Sequence, residues 1–72
     1  MKVYWTEAAL GDLSALHEYI ARRSLGYANS MVYRIIERTD SLSQHPLIGA
    51  VVPEYDAEDL RVLLESPYRI IY

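Results

Sequence analysis

A chain of 72 residues, 51% hydrophobic and 24% charged, has the composition of a globular protein, and its length admits one domain at most. Ten acids against seven bases leave a net charge of −3, which argues against a dedicated nucleic-acid binder, because such proteins draw most of their affinity from phosphate neutralisation. The absence of cysteine excludes disulfides and thiolate metal sites, and no apolar run approaches the roughly 18 residues of a membrane span.

Residues 2–5, Lys2-Val3-Tyr4-Trp5, are short and β-prone and predict a strand. They lack the long apolar core of a signal peptide, so a soluble, cytoplasmic protein is the expectation. Thr6 is a helix-capping residue, and Glu7 places an acid where the helix dipole favours one. From residue 7 to about 24, Ala9, Leu10, Leu13, Leu16, His17 and Ile20 make one stripe at the helical period. Leu25-Gly26-Tyr27 reads as a break, with Gly26 ending the first helix. A second helix is expected over about 28–44, with Ala28, Met31, Val32, Ile35, Ile36, Thr39 and Leu42 on one face. So short a break folds the two helices into an antiparallel hairpin.

His45-Pro46 ends the second helix, since the residue before proline is pushed out of the α region. Residues 47–59 read as a loop punctuated by Gly49 and Pro53, and its acids, Glu54, Asp56, Glu58 and Asp59, lack metal-ligand spacing. Residues 60–65 fit a helical face or a strand face by pattern alone. Ser66-Pro67 makes a tight break before the β-rich residues 68–72, which need a neighbouring strand, so a hairpin of 60–65 with 68–72 is favoured.

No nucleophile motif, phosphate-binding glycine loop or His-x-x-x-His pair occurs. His17 sits at the edge of an apolar stripe, as a satisfied, half-buried histidine does, and His45 suits a helix C-terminus. No paired constellation for acid–base catalysis is visible, so no catalytic residue, metal or cofactor is assigned. Candidate partner-binding residues are Tyr19, Tyr27 and Tyr33, which fall off the apolar stripes, and Arg61 and Arg69, which sit among apolar strand residues. Both arginines are expected on one sheet face. Arg34 and Arg38 are expected on a solvated helix face.

The ordered set Val3-Tyr4-Trp5-Thr6, Ala8-Ala9, Asp12-Leu13, Tyr19-Ile20, Ala28, Leu42, His45-Pro46, Gly49, Leu60-Arg61-Val62-Leu63 and Tyr68-Arg69-Ile70-Ile71-Tyr72 resembles the ParE/RelE toxin superfamily over the whole chain. It is most similar to the ParE-like branch, the plasmid stabilisation proteins of type II toxin–antitoxin systems. The resemblance implies an α+β fold: an N-terminal strand, an antiparallel helical hairpin, then a small twisted antiparallel sheet. Family members continue by another strand and a short tail, so residues 1–72 are expected to be a single toxin domain incomplete at its C-terminus. The implied function is inhibition of DNA gyrase by binding, without catalysis, neutralised by a cognate ParD-like antitoxin, with a homodimer or a toxin–antitoxin hetero-oligomer as the assembly. The alternatives are a RelE-like, ribosome-dependent mRNA endonuclease, or an inactive remnant that only binds antitoxin. RelE-like chains carry lysines on the strand matching residues 60–64, where this chain has only Arg61, and that departure favours the ParE-like reading.

Overall fold

The computed structural model describes residues 2–54 and 60–72. Its elements are helix α1 (Glu7–Ala21), helix α2 (Leu25–Asp40), a 3₁₀ turn (Ser41–Ser43) and strands β1 (Ala50–Val51), β2 (Arg61–Glu65) and β3 (Tyr68–Ile71). The fold is α+β, a helical hairpin followed by an antiparallel sheet of order β1-β2-β3.

Thr6 begins α1 as expected: its backbone is extended and its Oγ1 accepts the Ala9 N–H at 3.0 Å. Ala9, Leu13, Leu16 and His17 are half-buried and Ile20 is buried, whereas Leu10 turns out to solvent at the margin of the stripe. On α2, Ala28, Met31, Ile35 and Thr39 are buried. Ile20, Ala28, Met31 and Ile35 form the core where the two helices meet, and Trp5, Leu13, Leu16, Tyr68 and Ile70 pack against it. The helices thus cover one face of the sheet, and the N-terminal segment closes the side of the core.

Four expectations about the elements are corrected. Gly26 does not end α1. Ser24 starts α2 two residues earlier, with an extended backbone and an Oγ that accepts the Tyr27 N–H at 3.1 Å. A serine cap satisfies an orphan amide, which a glycine has no side chain to do, so the cap wins and Gly26 falls in the first turn of α2. At its far end, α2 tightens into the 3₁₀ turn at Ser41 rather than running on to residue 44.

Residues 2–5 form no strand, although their burial alternates: Val3 and Trp5 are half-buried, Lys2 and Tyr4 exposed. Among the described residues none of them takes part in a backbone hydrogen bond, and a strand is defined by its ladder. Conversely, the segment read as a loop contains β1, which pairs Ala50 with Val62 and Val51 with Arg61. Two residues are too few to show alternation, so only their partner reveals them. Asp56, Glu58 and Asp59 of that segment lie outside the described residues.

The β2–β3 hairpin forms with Leu63 opposite Ile70 and Leu64 opposite Arg69, across a Ser66–Pro67 turn whose peptide bond is cis. The strand reading of residues 60–65 holds because pairing with β3 settles an ambiguity that periodicity leaves open.

Candidate partner-binding surfaces

Strand register sorts the sheet side chains into two faces, since paired residues share a face and neighbours alternate. Arg61, Leu63, Glu65, Tyr68, Ile70 and Tyr72 fall on the face toward the helices, and Val62, Leu64, Arg69 and Ile71 on the outer face. Arg61 and Arg69 therefore lie on opposite faces, contrary to the expectation that they share one. The reason is register: Arg61 pairs with Tyr72, three residues from Arg69, and an odd separation inverts the face.

The two arginines also have different partners. Arg61 is half-buried and its Nη1 donates to the Gly49 carbonyl at 3.1 Å. Arg69 is exposed and donates through Nη1 to both carboxylate oxygens of Glu54, at 2.8 and 3.1 Å. The outer face is otherwise apolar and open, with Leu64 65% and Ile71 42% exposed. Single exposed apolar residues are ordinary, but a contiguous sheet face of them marks an interaction surface.

A second feature is a groove of about 600 Å³ between β3 and the N-terminal segment. Its lining includes Val3 and Trp5 on one side, Arg69 and Ile71 on the other, and Leu13 and Leu16 between them. A smaller depression lies over the turn between the helices, where Tyr19 and Tyr27 meet Arg22 and Arg23. Tyr19, Tyr27 and Tyr33 are all exposed, at 68%, 48% and 64%. Tyr33 lines neither depression. Its phenol ionises above the ordinary tyrosine range because it hydrogen-bonds to Glu37, whose negative charge adds to the effect. The five sequence candidates are thus distributed over four places rather than gathered into one site.

Several contacts that the sequence does not announce tie these surfaces together. The Gly49 N–H donates to the Tyr72 hydroxyl at 2.8 Å, so both polar backbone groups of Gly49 are held by the side chains of a paired couple, Arg61 and Tyr72. Arg34 and Arg38 are not merely solvated: Arg34 Nε lies 3.6 Å from Glu65 Oε1, and Arg38 Nη2 donates to the Leu64 carbonyl at 3.4 Å. They pin α2 to the end of β2, and Arg34 also sits 5.9 Å from the Tyr27 ring centroid, within cation–π reach. His17 Nε2 meets Asn29 Oδ1 at 2.7 Å, and since an amide oxygen only accepts, that nitrogen carries the proton. This bond joins α1 to α2, in keeping with the satisfied histidine expected. Among the described residues no group of three or more His, Cys, Asp or Glu is placed to hold a metal, and no helix is long and apolar enough to cross a membrane.

A helical hairpin on one face of a small antiparallel sheet, with apolar side chains exposed on the other, defines an α+β scaffold. Residues 3–72 match the model of a family described as the ParE toxin of the type II toxin–antitoxin system parDE. The chain is 34% identical over 71 residues to "Toxin RelE2" of Caulobacter vibrioides, a match covering 99% of this chain and 77% of that protein. No solved structure matches significantly. The chain belongs to the ParE toxin family, within the ParE/RelE superfamily, and is a toxin of a type II toxin–antitoxin system with a cognate antitoxin as partner.

Proposed function

We propose that this toxin acts by binding and inhibiting DNA gyrase, and that its cognate ParD-like antitoxin neutralises it in the cytoplasm. The observation that carries the reading is the outer face of the β2–β3 hairpin. Val62, Leu64 and Ile71 make it apolar, and its arginine, Arg69, is already bound by Glu54. A surface that grips RNA needs free cations to meet phosphates. An apolar sheet face with aromatic residues elsewhere on the surface suits a protein partner. Leu64 and Ile71 are the proposed contacts to gyrase, with Tyr19, Tyr27 and Tyr33 as aromatic anchors for the antitoxin.

The matched relative is called a RelE toxin, and that name favours a second reading, ribosome-dependent mRNA cleavage. The test runs both assays on one preparation, gyrase supercoiling and mRNA integrity in a translation extract. Inhibited supercoiling beside intact mRNA is the expected result. Cleaved mRNA with gyrase unaffected would overturn the reading.

A further inference from the structure

Among the described residues, Arg69 is the one charged residue that the strand ladder places on the outer face, with Ala50, Val62, Leu64 and Ile71 around it. Its counter-ion comes from outside the sheet. Glu54 stands just past β1, 15 residues from Arg69 in sequence. The chain leading to it is well held: Val52 is fully buried, its N–H donates to the Leu60 carbonyl at 3.4 Å, and Pro53 fixes a backbone angle. Arg69 spends only part of its capacity on this pair. Nη1 donates to both Glu54 carboxylate oxygens, whereas Nε and Nη2 make no hydrogen bond among the described residues. Glu54 thus cancels the charge of the guanidinium and leaves its remaining donors open.

We infer that Glu54 is a specificity-determining residue: it makes Arg69 a neutral donor that bonds the uncharged carbonyl oxygens of a protein and turns phosphates away. The inference rests on the reading of the outer face as the gyrase contact, and adds the rule by which that face chooses its partner. A phosphate brought to Arg69 meets the Glu54 carboxylate, and like charges placed together are how an interface rejects a competitor. A carbonyl oxygen carries no net charge, so it takes an Nε or Nη2 bond without that repulsion. A protein closing over the face also strips water from Arg69, and a cation buried with its counter-ion in place costs far less than a bare one. The pair is exposed, at 47% and 54% of its side-chain surfaces, so it contributes little to folding and its removal leaves the fold standing.

The test follows binding of a fluorescently labelled polyuridylate by anisotropy across a salt series, for the parent, Glu54→Gln, Glu54→Gln with Arg69→Gln, and Glu18→Gln. Glu18 is exposed on α1 and in no ion pair among the described residues, so its variant makes the same change of net charge away from the outer face. Glu54→Gln should gain at least about fivefold in affinity at low salt, and its slope of log affinity against log salt should steepen by about 0.7, the value for one added phosphate contact on a single strand. The double variant should lose that gain, and Glu18→Gln should not show it. Unchanged affinity in Glu54→Gln, an equal gain in Glu18→Gln, or a gain that survives the loss of Arg69 overturns the inference. Supercoiling assays on the same proteins separate it from the reading beneath. Where the parent inhibits gyrase, Glu54→Gln should weaken the inhibition at least about tenfold, through the bare cation it leaves under the partner, and undiminished inhibition overturns the inference. A parent without effect on gyrase removes the gyrase reading, and the RNA arm still decides the role of Glu54.

Discussion

Gly49 shows how one position is decided by atoms distant in sequence. A Cβ there would lie 2.6 Å from the Tyr72 hydroxyl and 2.8 Å from the Val62 carbonyl oxygen. The ring swings aside only by giving up its hydrogen bond, and the backbone oxygen belongs to the central strand and has little freedom to yield. Gly49→Ala is expected to destabilise by about 1–3 kcal/mol, read from the midpoint of urea unfolding. Tyr72→Phe removes the acceptor for the Gly49 N–H and should cost about 1–2 kcal/mol. In the double variant the two costs should fall short of their sum, since both remove one contact. Tyr33 offers a second test. Glu37→Gln should lower its phenol ionisation toward the ordinary value, followed by its ring carbon shift during alkaline titration. Because the folded value is raised, any contribution to stability is fully present at neutrality and is lost as pH rises from the unfolded tyrosine value through the folded one. The sequence identifies Gly49 as loop punctuation and Tyr33 as an off-stripe aromatic. The oxygen facing Gly49 is not written in local pattern, whereas Glu37 stands one helical turn from Tyr33 and the spacing alone brings the two together.

At the scale of elements, the helix joint separates two residues that look interchangeable as punctuation. Ser24 caps α2 through its hydroxyl, so Ser24→Ala should cost about 1 kcal/mol. Gly26 has open space around its missing side chain and no positive φ, so Gly26→Ala should stabilise by about 0.4–1 kcal/mol. Opposite shifts in thermal midpoint would check the pair, and a destabilised Gly26→Ala would restore glycine as the joint. The existence and pairing of both helices were legible because their stripes run at the helical period for several turns. Their ends were less so, since a cap is one hydrogen bond between neighbours and several residues in a row are able to make it. β1 and residues 2–5 mark the limit. A two-residue strand exists through its partner alone, and a β-prone segment without a ladder is not one.

For the whole molecule, the proposal separates a target face on the sheet from antitoxin anchors on the helices. Leu64 is exposed, so Leu64→Lys should leave stability within about 0.5 kcal/mol of the parent. It should nonetheless relieve gyrase inhibition at least about tenfold while antitoxin affinity holds, measured by supercoiling titration beside calorimetry. A loss of antitoxin affinity alone would assign the outer face to the antitoxin. Met31 is fully buried at the helix–helix core, so Met31→Ala should cost about 2–5 kcal/mol, a large share of what so small a domain possesses. The amino-acid order by itself determined the helical hairpin and the family, and favoured the β2–β3 hairpin that strand pairing then settled. Periodicity and turn chemistry are local, and ordered motifs survive divergence. Only the tertiary structure decided that Arg61 and Arg69 face opposite ways, that β1 exists, and that residues 2–5 join no ladder among the described residues. Each of these follows from register and pairing between distant segments, which side-chain pattern along the chain does not encode.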